Sequence, residues 1–217
     1  MNNDVDLDIC KQHSDHGEGF ELLYEKIREK AKVLNNSPFI EIGTREGGSA
    51  LVFLNAIRGT NNLLITVDPY GKHYEAGGEW PPIGDAMYRT AQFILSSFAY
   101  HHHLLHIPFR ITSESFMNLW DKSLIWINGM VILKNFGVVY LDGEHTEEMV
   151  MKEIDWFLPK MDINGLLIID DVSYLKDTKV TYLKELLKAG LKDSNRLYIS
   201  TLEAKKIWPS DARRDNE

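Results

Sequence analysis

The chain has 217 residues, a formal net charge of −8 and one cysteine, Cys10. This length fits a single domain over residues 1–217. The acidic balance argues against binding to nucleic acid or to an anionic membrane, so the expected partner is a small-molecule substrate. One cysteine excludes an intramolecular disulfide, and no apolar run reaches the roughly 18 residues that a membrane span needs. The polar N-terminal segment resembles neither a signal peptide nor a transit peptide, which predicts a cytoplasmic location. The sequence leaves open whether the protein forms a homodimer.

The first third of the chain predicts an arm, a helix and two strands. Residues 1–16 carry few large apolar side chains, which predicts a mobile N-terminal arm or a lid that orders on ligand binding. Apolar side chains at helical spacing predict a helix over 19–34. The apolar run 39–42 predicts a buried strand that leads through a glycine loop into the apolar segment 51–57. A second buried strand is predicted over 63–68.

The middle of the chain predicts a long loop between regular elements. Turn residues and aromatic side chains fill 70–84, and a loop of this length is expected at the active site. Its aromatic side chains either contact the substrate or pack within the loop. A helix is predicted over 85–100 and a third strand over 104–111. Pro108 places that strand at a sheet edge, because proline cannot donate to a neighbouring strand.

The last third continues the alternation of strands and helices. Strands are predicted over 136–141 and 165–169, and helices over 147–161, with a stop near Pro159, and over 178–188. The runs 196–200 and 205–208 predict a closing antiparallel hairpin. Strands that alternate with helices indicate an α/β fold of three α/β/α layers, in which a mostly parallel sheet carries helices on both faces.

A glycine loop follows the first predicted strand. It has the pattern Glu41-x-Gly43-x-x-x-Gly47, and Asp68 ends the second strand. Glycine lets the backbone pass close to a ligand, and an acid about 20 residues further on binds a ribose in such folds, so the pair predicts an adenosine-type cofactor. A dinucleotide pyrophosphate needs glycine where this chain has Arg45. The carboxylate of Glu41 suits a cationic amino-acid ligand better.

This stretch resembles motif I of the class I S-adenosylmethionine-dependent methyltransferases. The resemblance implies a Rossmann-like sheet of seven strands in the order 3-2-1-4-5-7-6, with strand 7 antiparallel. It implies that the strand-end acid and the loop hold the methionine portion of S-adenosylmethionine and that Asp68 binds the ribose. The loop residues concerned are Glu41, Gly43, Thr44, Gly47 and Ser49. Ser113 and Glu114 would meet the adenine, or alternatively would cap and charge a helix start.

Five carboxylates follow predicted strands and should meet at one sheet edge, namely Glu41, Asp68, Asp142, Asp170 and Asp171. Carboxylates that lie together repel, and a divalent cation would make the arrangement favourable. Oxygen ligands suit Mg²⁺, Ca²⁺ or Mn²⁺. The alternatives are that these groups bind the amine of the cofactor or are ordinary strand-end acids.

Two segments resemble motifs of the macrocin O-methyltransferase-like group, which also contains cephalosporin hydroxylase-like proteins. They are Tyr140 to His145, with its Asp-Gly-Glu-His sequence, and Leu167 to Asp171, with its Asp-Asp ending. The resemblance implies that Asp142, Asp170 and Asp171 bind a divalent metal, with Mg²⁺ as the expected ion, and that Asp142 also lies beside the cofactor. The metal would activate a substrate hydroxyl for methyl transfer.

His145 is the first candidate for the general base, because an imidazole titrates near neutral pH, and Glu144 is the second. Alternatively, Glu144 charges the start of a helix and His145 orients the loop. The sequence thus predicts an S-adenosylmethionine-dependent O-methyltransferase, assisted by a metal and acting on a small-molecule hydroxyl. Two rivals remain: an NAD(P)-binding oxidoreductase on a related sheet, and a module that binds S-adenosylmethionine without catalysis.

Overall fold

A seven-stranded sheet forms the centre of the protein. The computed structural model describes residues 7–13, 19–71, 73–75, 78–80, 84–122, 126–127, 130–131, 135–172, 184–185, 188, 190–193 and 196–207, without the side chains of 73–75, 78–80, 126–127, 130–131 and 191–193. The strands are β1 Pro38–Ile42, β2 Leu63–Val67, β3 His106–Phe109, β4 Phe136–Leu141, β5 Met161–Ile169, β6 Leu191–Asp193 and β7 Arg196–Ser200.

The strand order is β6-β7-β5-β4-β1-β2-β3. All pairs from β5 to β3 are parallel, whereas β7 is antiparallel to both of its neighbours. The predicted order, 3-2-1-4-5-7-6 with strand 7 antiparallel, is confirmed. Every residue of β1, β2 and β4 is buried, as expected for inner strands that are covered on both faces. The edge position that Pro108 predicted for β3 is also confirmed, since β3 ends the sheet.

Helices cover both faces of the sheet. They are α1 Leu7–Gln12, α2 Phe20–Val33, α3 Gly48–Ile57, α4 Gly84–His101, α5 Ser113–Lys122, α6 Glu147–Phe157 and α7 Thr201–Ile207. Phe39 and Ile40 are adjacent in β1 and belong to different apolar cores, as the alternation of side chains along a strand requires. Helices α1 to α4 contribute to the Phe39 core, and α5 to α7 contribute to the Ile40 core. The three-layer prediction is therefore confirmed. No helix in the described ranges is long and apolar enough to cross a membrane.

Residues 7–12 of the predicted N-terminal arm form helix α1. Cys10 is fully buried in the Phe39 core, and the Asn55 side-chain amide lies 3.7 Å from its Sγ. One apolar contact surface against α3 is enough to order a short helix that its own sequence would not stabilise. Residues 1–6 and 14–18 lie outside the described residues.

Helix α6 ends at Phe157, and a 3₁₀ turn, Leu158–Lys160, leads into β5 at Met161. This end agrees with the predicted stop near Pro159, which cannot continue the helical hydrogen bonds. The predicted strand over 205–208 is wrong for residues 205–207, which belong to helix α7, and the hairpin partner of β7 is the preceding strand β6. The hydroxyl of Ser200 accepts from the Glu203 N–H at 3.3 Å and starts α7.

The predicted loop 70–84 contains a short antiparallel hairpin that pairs 73–75 with 78–80. The side chains of this hairpin lie outside the described residues, so the prediction that its aromatic rings contact substrate stays a prediction. Most of the predicted helix 178–188 lies outside them as well.

Thr146 caps helix α6, and its loss should weaken the fold. Its side-chain oxygen accepts from the Met149 N–H at 3.3 Å. Thr146→Ala should lower the free energy of unfolding by about 1 kcal/mol, because one N–H of the first turn loses its acceptor. Urea unfolding at pH 7 measures this change. Thr146→Ser keeps the hydroxyl and should unfold near the wild-type midpoint, so an equal loss in both variants would show that the cap contributes nothing.

Candidate functional site

The candidate site lies at the carboxyl ends of the parallel strands. The Gly43 N–H donates to Val67 O at 2.9 Å, the Asp142 N–H to Ile42 O at 2.8 Å and the Asp170 N–H to Leu141 O at 2.9 Å. The hydrogen bonds of the sheet therefore end at the same level on neighbouring strands. The residues that follow each strand converge, as predicted. This edge is where open α/β sheets bind ligands.

The glycine loop passes very close to the end of β4. Gly43 has a φ of +89°, and a Cβ placed on it would lie 1.9 Å from the backbone oxygen of Asp142. Gly47 precedes α3 with a φ of +91°. Arg45, between them, has a φ of 44°, which costs energy for a residue with a side chain. The loop is therefore held in a conformation that brings bare backbone to the sheet edge.

Asp68 holds this loop from the neighbouring strand. Its Oδ2 accepts from the Thr44 N–H at 3.0 Å and the Arg45 N–H at 2.9 Å, and its Oδ1 accepts from the Tyr70 N–H at 2.6 Å. The side chain is buried. The structure thus gives Asp68 a positioning role that sequence reasoning missed, and its predicted role at a ribose stays a prediction.

Glu41 is a fully buried carboxyl group beside the loop. Neither of its carboxyl oxygens has a hydrogen-bond partner of good geometry within the described part of the chain. Burial raises the pKa of Glu41 to about 8, the Ser49 hydroxyl lowers it in part, and the charges of Asp68 and Asp170 raise it further. A buried acid with so few partners is costly, and strongly perturbed pKa values cluster at functional sites. The predicted role of Glu41 at the cofactor stays a prediction.

A second set of carboxylates surrounds His145. Its Nε2 lies 3.2 Å from Asp171 Oδ2 and 3.9 Å from Asp142 Oδ1, and its side chain is only 9% exposed. Burial raises the pKa of the Asp142 carboxyl well above its ordinary range, and the neighbouring Asp170 and Glu41 add to the rise. The ends of β4 and β5 therefore bring His145, Asp142 and Asp171 together.

Asp170 faces a different partner. Its Oδ2 accepts from the Tyr140 hydroxyl and, at 3.1 Å, from Nε of Arg196 in β7, and its Oδ1 accepts from the Asp171 N–H at 2.9 Å. Sequence reasoning missed both Tyr140 and Arg196. The available signal was an arginine at the start of the apolar strand Arg-Leu-Tyr-Ile-Ser, which needs a buried anion if that strand lies inside the sheet.

The predicted metal ligands do not meet as a set. In the described ranges, no group of three or more His, Cys, Asp or Glu side chains is arranged to hold a metal ion. Both oxygens of Asp170 are engaged as described above, so only Asp142 and Asp171 of the predicted three converge on His145. The metal role of the three stays a prediction.

The other predicted residues lie around this edge. Glu144 accepts from the Thr146 hydroxyl at 2.8 Å, in the turn before α6. Thr112, not Ser113, caps α5, since its Oγ1 accepts from the Ser115 N–H at 3.2 Å. Glu114 lies in the first turn of α5 and forms an exposed ion pair with Lys152. Glu114 thus fits the alternative of a first-turn acid, whereas Ser113 is not the cap. The predicted adenine contacts of Ser113 and Glu114 stay predictions.

The sheet order, the antiparallel β7 and the glycine loop after β1 together define a class I methyltransferase fold, whose members use S-adenosylmethionine. The chain belongs to the family described as methyltransferase domain, whose profile matches residues 40–172. It is thus an S-adenosylmethionine-dependent methyltransferase. No curated protein matches the chain.

Three solved structures have a similar fold. TomG, an O-methyltransferase of Streptomyces achromogenes involved in tomaymycin synthesis and solved with S-adenosylmethionine, has 16% identity and a TM-score of 0.53 over 83% of this chain and 72% of TomG. An O-methyltransferase of Bacillus cereus, solved with S-adenosylhomocysteine, has 11% identity and a TM-score of 0.53 over 93% of this chain and 76% of its own. MycE of mycinamycin biosynthesis, solved with Mg, S-adenosylhomocysteine and mycinamycin VI, has 14% identity and a TM-score of 0.51 over 81% of this chain and 47% of MycE. At these identities the similarity shows the fold.

Proposed function

We propose that this methyltransferase transfers a methyl group from S-adenosylmethionine to a hydroxyl group of a small molecule. The observation that carries the proposal is the group of His145, Asp171 and Asp142 at the same sheet edge as the glycine loop. A histidine held by a carboxylate is suited to take a proton from a hydroxyl. The net charge of −8 supports a small acceptor over nucleic acid.

The loop after β1 fits the methionine portion of the cofactor. Glu41 offers a buried carboxylate without hydrogen-bond partners in the described chain, which an ammonium group would satisfy. Gly43 offers bare backbone where any side chain would collide with Asp142. Thr44, Gly47 and Ser49 complete the proposed set, with Asp68 at the ribose and Ser113 and Glu114 at the adenine. When bound, S-adenosylmethionine supplies a methyl group on a positively charged sulfur.

The chain's own residues then move one proton. His145 accepts the proton of the acceptor hydroxyl on Nδ1, because Nε2 donates to the carboxylate of Asp171, and the oxygen thereby becomes nucleophilic. The carboxylate of Asp171, 3.2 Å from Nε2, orients the ring and stabilises the positive charge that the ring acquires. Glu144 is the second candidate for the base, but its carboxylate is engaged with Thr146.

The resemblance also implies a divalent metal, and the described side chains do not fit a site of three carboxylates. Asp170, one of the three, is bonded to Tyr140 and Arg196. The proposed proton transfer therefore involves no metal, and metal assistance stays a prediction. Titration of the purified protein with Mg²⁺ by calorimetry, in wild type and in Asp142→Asn, measures it directly.

Calorimetric titration with S-adenosylmethionine, with NADH as competitor, is the first test of the cofactor site. A screen of phenolic, catecholic and sugar hydroxyls for the formation of S-adenosylhomocysteine then tests the reaction. Binding without turnover of any hydroxyl would favour a module that binds the cofactor without catalysis. Binding of NADH instead would show that the loop at Glu41 has been misinterpreted.

His145→Gln should lower kcat about a hundredfold, because it removes the group that accepts the proton. The Kd for S-adenosylmethionine should stay near the wild-type value, since His145 lies at the ends of β4 and β5 and the proposed ammonium partner lies on β1. Glu144→Gln is the matched control, a charge removal one residue away, and should keep most of kcat. The opposite pattern would assign the base to Glu144.

A further inference from the structure

Three polar groups that the mechanism does not use lie buried beneath the site. Arg196 in β7 is 5% exposed, Asp170 after β5 is 8% exposed and Tyr140 in β4 is fully buried. Taking a charged pair out of water is costly, and apolar residues of the same volume are often as stable. Stability alone therefore does not explain the pair.

The three groups fix the carboxylate of Asp170 completely. Arg196 Nε lies 3.1 Å from both Asp170 Oδ2 and the Tyr140 hydroxyl oxygen, and the Tyr140 hydroxyl donates to the same Oδ2. The guanidinium lies above the ring of Phe20 in α2, with 5.6 Å between its Cζ and the ring centroid. Strands β4, β5 and β7 and helix α2 thus meet at one carboxylate.

The remaining oxygen of Asp170 sets the backbone of the next residue. Its Oδ1 accepts from the Asp171 N–H at 2.9 Å. Asp171 has a φ of 51°, in the left-handed region, which costs energy for a residue other than glycine and persists only where neighbouring contacts enforce it. In this conformation Asp171 Oδ2 lies 3.2 Å from His145 Nε2.

We propose that Arg196 and Tyr140 are positioning residues for His145. They hold Asp170, Asp170 holds the backbone of Asp171, and Asp171 holds the imidazole. Asp170 is then the anchor of the Asp-Asp pair, and Asp171 is the member that serves the site. This inference rests on the proposed role of His145 as a base.

The guanidinium of Arg196 suits these two contacts better than a lysine ammonium would. Its planar Nε–H lies beside both acceptors, whereas the lysine ammonium is a point charge on a flexible stem. Arg196→Lys therefore keeps the charge and loses the geometry. Tyr140→Phe keeps the ring in the core and removes only the hydroxyl that donates to Asp170.

The test reads the ring of His145 directly. We would record the ¹⁵N shifts of the histidine ring nitrogens at one fixed pH, assign His145 with His145→Gln, and use Asp171→Asn to define the shift that loss of the contact produces. Tyr140→Phe and Arg196→Lys should each move the His145 signals in the direction that Asp171→Asn moves them. Ile154→Val removes one buried methyl group from helix α6 and is the control for a general loss of packing.

Calorimetry with S-adenosylmethionine separates the two proposals. Unchanged His145 signals in both variants, or an equal shift in Ile154→Val, would overturn the inference. In that case, normal binding of S-adenosylmethionine by the wild type leaves the proposed function intact. Failure of the wild type to bind it would overturn the proposed function, while the ring signals would still decide whether Arg196 and Tyr140 position His145.

Discussion

Gly43→Ala should abolish binding of S-adenosylmethionine and lower the free energy of unfolding by about 3 kcal/mol. Two costs add. The residue has a φ of +89°, and its new methyl group would lie 1.9 Å from the backbone oxygen of Asp142. A backbone atom cannot rotate away as a flexible side chain can, so the loop after β1 or the end of β4 must shift. Either shift displaces the cofactor loop.

Gly59→Ala separates these two costs. Gly59 also has a positive φ, +71°, but a Cβ on it would meet no atom within 4 Å. The Gly59→Ala variant should therefore lose only about 1–2 kcal/mol of its free energy of unfolding, the cost of an alanine in the left-handed region, and should bind S-adenosylmethionine normally. Urea unfolding and calorimetry on both variants provide the comparison. Normal binding by Gly43→Ala would show that the cofactor does not depend on this loop.

The strand-end residues could be predicted because their signals are local. Glycine spacing and an apolar run located Gly43 and Glu41, and a single proline placed β3 at the edge of the sheet. The order of the strands came from the resemblance, since periodicity says which residues form a strand and nothing about which strands pair. For the same reason a short run such as 205–208 is ambiguous between strand and helix, and there the helix α7 is found.

The contacts of Arg196 could not be predicted because they are long-range. Arg196 meets Asp170 across 26 positions of sequence and Tyr140 across 56. The different partners of Asp170 and Asp171 could not be predicted for a related reason. Adjacent side chains at the end of a strand point in opposite directions, so Asp170 and Asp171 cannot be assumed to share one ligand.

Glu41→Gln should stabilise the protein without ligand and weaken its binding of S-adenosylmethionine by about 10- to 100-fold. The carboxyl is fully buried, and burial raises its pKa to about 8 from an ordinary value near 4.3. Between these two values the folded protein keeps a proton that the unfolded chain releases. The free energy of unfolding therefore falls as pH rises from about 4.3 to about 8, by several kcal/mol in total, and the fall stops above pH 8.

Glutamine has no proton to lose, so the variant should lack this part of the pH dependence. Its free energy of unfolding should exceed that of the wild type most at pH 8 and above. Binding should respond in the opposite direction. An ammonium ligand favours the ionised carboxyl, so the affinity of the wild type for S-adenosylmethionine should rise as pH increases toward 8, and the affinity of Glu41→Gln should not. Urea unfolding and calorimetry across pH 5–9 or so measure both effects.

Glu153 provides the matched control. It lies in α6, is 1% exposed, and has a pKa that burial raises to about 7. Glu153→Gln should also stabilise the protein relative to wild type as pH rises toward 7. It should leave the pH dependence of S-adenosylmethionine affinity unchanged, because its neighbour Ser113 is proposed at the uncharged adenine and not at the ammonium group. Stabilisation in both variants with loss of binding in only Glu41→Gln would identify Glu41 as the ammonium partner. Equal binding by both would mean that Glu41 is a buried acid without a role in the cofactor site.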